Sequence, residues 1–195
     1  MKTRLHSALI SAALLALLPL GALAQSTFSV FSPQNGLADG WKTGSWSGPI
    51  INEVSSFSKN GTMLQIDLKG DAQPYAGVIL SAAQGSGLPL TDKLRQTGVV
   101  TINFMPAKNA QGGPQPLQVA LSFLTKDGET VHAGFNAQAA VTTAETGSKA
   151  SFTLATALKG VKLPDQLASI SAVRLQFLGE PVAGFYIIDC SIKSE

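Results

Sequence analysis

Chemistry-bearing side chains are scarce in this chain of 195 residues, which has one cysteine, two histidines and two tryptophans, with only 13% of its residues charged. A single cysteine, Cys190, excludes an intrachain disulfide. His6 falls in an apolar leader, so His132 is the one histidine of the body. No Gly-x-Ser-x-Gly turn, metal-ligand pair or Gly-rich phosphate loop accompanies it. Glycoside hydrolysis needs two carboxyl groups facing one cleft, whereas the acids are scattered: Asp67, Asp71, Asp127, Glu129 and Glu180. Beyond the leader the arginines are Arg95 and Arg174 alone, which leaves no evident basic cleft for a polysaccharide lyase. The absences point away from an enzyme and toward a binding protein.

The opening residues read as an export signal. Lys2 and Arg4 precede an apolar run from Ala8 to Leu18, and Ala22-Leu23-Ala24 supplies a small-x-small cleavage site. The run is too short to span a bilayer, so the expectation is a signal peptide over residues 1–24 and an exported, periplasmic or extracellular body over 25–195, without membrane insertion. Loss of Lys2 and Arg4 brings the 14 basic residues level with the 12 acidic ones. With that balance, nucleic acid and anionic membranes have no electrostatic claim on the body as a whole.

What is present is β-sequence. Short runs with period-two alternation or β-branched enrichment, separated by Gly, Pro, Asn and Asp, fall at 28–31, 54–58, 62–68, 77–81, 99–105, 117–125, 130–138, 151–155, 172–178 and 185–192. About ten short strands in one domain imply an all-β sandwich. The 107–116 segment, with Gly112-Gly113-Pro114, reads as a surface loop, and Pro164 to Leu167 as a single helical turn. Cys190 alternates with Tyr186, Ile188 and Ile192, as a buried apolar thiol would.

One hairpin has a predictable register. A two-residue Asp127-Gly128 turn would split the apolar residues between faces. A three-residue loop with Gly128 left-handed instead pairs Phe123 with Val131, Leu121 with Ala133 and Val119 with Phe135. The opposite face then carries Gln118, Ser122, His132 and Asn136, with Arg174 and Gln176 extending it from a later strand. Side chains that both donate and accept suit sugar hydroxyls; the same face also reads as the ordinary solvated side of a sandwich.

The tryptophans lie in the Gly-rich stretch Asp39-Gly40-Trp41-Lys42-Thr43-Gly44-Ser45-Trp46. Trp46 alternates with Pro49 and Ile51, which suggests a plug for the sandwich end, and leaves Trp41 as the ligand-contacting indole. Tyr75 either lines a groove or covers a strand start.

Three segments, the Asn35-to-Trp46 stretch, Pro74-Tyr75-Ala76-Gly77-Val78-Ile79-Leu80 and Phe185-Tyr186-Ile187-Ile188-Asp189, resemble those of bacterial galactose-binding-like jelly-roll domains, a superfamily that includes many carbohydrate-binding modules. The resemblance implies a single jelly-roll β-sandwich and a non-catalytic protein that binds poly- or oligosaccharide. It also implies that Asp189, as the closing acid, helps to hold a structural calcium. Here Ser32-Pro33-Gln34 stands where related chains place acids, so backbone carbonyls and water would have to complete a shell of about six to eight oxygens. A protein partner docking on the same face is the alternative.

Overall fold

The computed structural model describes residues 26–47, 49–55, 61–68, 75–105, 117–135, 140–144, 147–178 and 185–194, with backbone alone for 49–55, 68 and 140–144. In chain order the strands are β1 (Ser26–Ser32), β2 (Gly36–Leu37), β3 (Trp41–Trp46), β4 (Pro49–Ser55), β5 (Thr62–Leu68), β6 (Gly77–Ala82), β7 (Leu88–Pro89), β8 (Gly98–Met105), β9 (Leu117–Thr125), β10 (Thr130–His132), β11 (Ala140–Ala144), β12 (Gly147–Thr153), β13 (Leu167–Phe177) and β14 (Phe185–Ser194). Helix α1 (Asp92–Thr97) precedes β8 and α2 (Leu154–Leu158) follows β12, while a 3-10 turn (Pro164–Gln166) leads into β13. The leader, the 107–116 segment and Asn136 lie outside the described residues.

All the described pairings are antiparallel and build two sheets. One has the path β11-β12-β8-β14-β1-β2, with β5 also on β14 and β4 on β5; the other has β10-β9-β13-β6-β3, with β7 also on β13. The fold is an all-β sandwich. Alternation explains its core: Val100, Ile102 and Phe104 of β8 face Val119, Leu121 and Phe123 of β9 and Val173, Leu175 and Phe177 of β13 across one continuous apolar layer. Phe185 ties the layers together, edge-on to Phe177 at 5.2 Å and to Phe104 at 6.4 Å. Each such fully buried side chain stabilises the fold by about 1.5–3 kcal/mol.

In β14 the expected alternation breaks. A register shift between Ile187 and Asp189 turns Phe185 and Ile187 inward together with Cys190 and Ile192, while Tyr186 and Ile188 are only half-buried. The Cys190 thiol is buried as expected, and burial, with Asp189 adding to it, pushes its pKa far up, so it is inert.

The helices were not legible, because five or six residues are too few to show an apolar period. Each is nucleated by a threonine: Thr91 Oγ1 accepts from Leu94 N and Thr153 Oγ1 from Thr156 N, both at 3.2 Å. Arg95 of α1 donates to the carbonyls of Pro164 and Leu167, each at 2.7 Å, and so fixes the start of β13. Among the described residues no helix is long and apolar enough to cross a membrane.

Candidate functional site

The outward face of the six-stranded sheet is built in rows by strand register. The β9–β10 hairpin closes as its sequence implies: Gly128 takes φ +86°, its N–H donates to Thr125 O at 3.1 Å, and Val131 pairs with Phe123 and His132 with Ser122. Successive registers extend that pair into a row running His132, Ser122, Ala172, Ser81, Lys42. The next row is Ala120, Arg174, Ile79, Gly44, and the third is Gln118, Gln176, Gly77, Trp46. Gln118, Ser122, His132, Arg174 and Gln176 therefore share one face, and Asn136 falls outside the described residues.

Between the first row and the loop 83–87 lies an open groove of about 420 Å³. Its floor holds Ser81, Ser122 and Ala172, and one wall is His132 with Thr130. Ser122 Oγ and His132 Nδ1 are 2.8 Å apart, which fixes the imidazole and leaves Nε2 as the ring's other polar atom. Burial, and secondarily the Arg174 charge, hold His132 below its usual pKa of 6.5, so at neutral pH the ring is neutral and has one donor and one acceptor nitrogen.

The structure exchanges the two tryptophans. The stretch expected to be loop is strand β3, and its register with β6 turns Trp41 inward opposite Ala82. Trp41 is 6% exposed, packs 5.8 Å from the Phe28 ring and donates Nε1–H to Ser86 O at 3.1 Å, so it is a core residue and not the exposed indole expected. Trp46, expected as a plug, stands half-exposed on the outward face over Gly77.

Phe135 is the second correction. Ala133 still bonds to β9, its N–H donating to Leu121 O at 3.0 Å, but its own carbonyl is taken by Arg174 Nη2 at 2.6 Å and β10 ends. Phe135 does not join Val119 in the core. Its ring lies 4.6 Å from the Arg174 guanidinium and 6.2 Å from the Trp46 ring, so it adds a second aromatic to the outward face. Burial lowers the pKa of Arg174 from its usual value, yet an arginine keeps its charge.

Tyr75 joins this end of the face. It is 58% exposed and holds φ +66°, a left-handed conformation that costs a non-glycine residue about 1–2 kcal/mol. Its carbonyl accepts from Trp46 Nε1 at 2.8 Å and Gln176 Nε2 at 3.1 Å, two outward side chains that fix the strained turn. Tyr75, Trp46 and Gln176 thus form one unit.

Asp189 is elsewhere, on the eight-stranded sheet opposite Asn103, whose Nδ2 donates to Asp189 Oδ2 at 2.7 Å. Among the described residues no group of three or more His, Cys, Asp or Glu side chains is placed to hold a metal ion. The cross-strand bond to Asn103 engages one of the two carboxylate oxygens of Asp189.

Comparison with known proteins bears on the fold. No family model matches the chain, and no curated protein does. Among solved structures, a family 30 carbohydrate-binding module is similar over 87% of this chain and 99% of its own, at 12% identity and TM-score 0.54. The chain shares the β-sandwich fold of that module. The family 30 module of a Clostridium thermocellum cellulosomal cellulase covers 87% of this chain and 98% of its own at 10% identity and TM-score 0.51. The family 11 module from the same organism, solved with a β-1,3-1,4-mixed-linked tetrasaccharide, covers 86% and 94% at 9% identity and TM-score 0.50.

Proposed function

We propose that this protein is exported and binds a poly- or oligosaccharide, without catalysis, on the outward face of the six-stranded sheet. The observation that carries the reading is the pairing of an aromatic platform, Trp46 with Phe135 at 6.2 Å, with a polar groove that begins one row away. A pyranose offers an apolar C–H face and a rim of hydroxyls. The indole and phenyl rings suit the first, and His132 Nε2, Thr130 and the serine floor suit the second. The module fold and the tetrasaccharide-bound family 11 structure support the reading.

Retention of the mature protein on insoluble polysaccharides and on a glycan array tests this. Wild-type protein is retained on a subset of glycans, and Trp46→Ala and His132→Ala each weaken retention about tenfold; undiminished retention in both variants would remove the site from this face. Export is checked separately by the intact mass of the secreted product, which is expected to begin at Gln25. A mass that still includes residues 1–24 refutes the cleavage site.

A further inference from the structure

Among the described residues the charge at the outward row positions is of one sign. Lys42 stands at one end of the first row and Arg174 in the middle of the second, while His132, at the far end of the first row, is neutral. Strands about 4.8 Å apart put Lys42 and His132 roughly 19 Å from each other. The described acids lie off the rows. Asp67, Asp189 and Glu53 of β4 are on the other sheet, and Asp92 and Asp165 are at α1 and the 3-10 turn. Asp39 precedes β3, and Asp127 and Glu129 sit at the β9–β10 tip beside Lys126, beyond the last outward pair Thr130–Leu124.

Arg174 is the telling residue. Its guanidinium is half-buried, and its partners among the described residues are neutral: the Ala133 carbonyl and the Phe135 ring. A half-buried cation with no counter-charge among the described residues is a standing cost to the fold that a bound anion relieves, and the planar fork of arginine matches a carboxylate.

Resting on the carbohydrate reading, we infer that the glycan taken by this face is acidic, a uronate-containing chain whose carboxylates pair with Arg174 and Lys42 while its sugar faces lie on Trp46 and Phe135. A chain lying across the strands meets Lys42 and Arg174 from β3 and β13, and an ionised carboxylate serves either cation. The net charge of the whole body gives no hint of this, because the cations are local to one face.

The experiment compares retention on polygalacturonate, on its fully methyl-esterified form and on neutral xylan and β-glucan, at low and high salt. The ester has the same backbone without the charge. The expected result is retention on polygalacturonate at least about tenfold above the ester, weakened by salt. Arg174→Gln removes about tenfold or more, and Lys42→Gln, an exposed change that leaves the packing alone, about threefold. Equal retention on ester and acid, or on neutral glycans alone, overturns the acidic inference and keeps the carbohydrate reading. Polygalacturonate retention untouched by both variants overturns its assignment to this face, and no retention on any of the four glycans overturns the carbohydrate reading itself.

Discussion

Trp41→Ala is expected to lower Tm by about 10 °C while leaving glycan affinity per folded molecule unchanged, and Trp46→Ala to do the reverse. Trp41 is 6% exposed, packs on Phe28 and bonds to the Ser86 carbonyl, so truncation opens a large cavity and leaves a half-buried acceptor without that donor. Removing a buried aromatic of this size costs about 3–5 kcal/mol, and at about 2–4 °C per kcal/mol for a chain of this length that is the stated fall in Tm. Trp46 stands over Gly77 on the outward face, where truncation loses one hydrogen bond to Tyr75 O and the ring contact with Phe135. That bond is worth only about 1 kcal/mol to the fold. Calorimetry of both variants alongside retention on the best-bound glycan separates the roles. If Trp41→Ala abolished binding at unchanged Tm, the inward placement of β3 would be wrong.

The two indoles show where sequence reasoning stops. Both lie in Trp41-Lys42-Thr43-Gly44-Ser45-Trp46, and a strand of that length puts residues 41 and 46 on opposite faces, because their spacing is odd. The Gly-rich composition hid the strand, and without it the faces could not be assigned. Gly44 is there because its neighbour is close: a Cβ would come within 3.0 Å of Ile79 Cγ2. By contrast the β9–β10 register was legible from the apolar pattern and the left-handed glycine alone, and it carried His132 and Ser122 to their observed pairing. The pattern failed one step further on. Phe135 continues the alternation perfectly, but the bond from Arg174 to Ala133 O ends the strand, and that is a contact between residues 41 positions apart in sequence. Local periodicity encodes which face a strand buries. It does not encode a side chain from another strand that terminates it, and so the core of the fold was readable while the outward placement of Trp46 and Phe135 was not.

Gly77→Ala is expected to impair both binding and stability, through a residue that touches no ligand. Gly77 lies beneath Trp46 in the third row, and a Cβ built on it would overlap the six-membered ring of Trp46 and the Leu175 carbonyl oxygen. The indole can tilt away, but doing so strains its bond to Tyr75 O and draws it off Phe135. The Leu175 carbonyl belongs to β13, which pairs with β6 at Val78, so relief there means moving sheet backbone. Overpacking of this kind costs about 1–3 kcal/mol, hence a fall in Tm of about 5 °C, with retention on glycan reduced toward that of Trp46→Ala. The double variant isolates the cause. In the Trp46→Ala background the same Gly77→Ala change still meets the Leu175 carbonyl but no longer the indole, so its stability cost shrinks and it has no further binding to remove. Full additivity of the two binding losses would mean that Gly77 acts through something other than the indole. Wild-type retention in Gly77→Ala would mean that the pose of Trp46 over the sheet is not what the ligand reads.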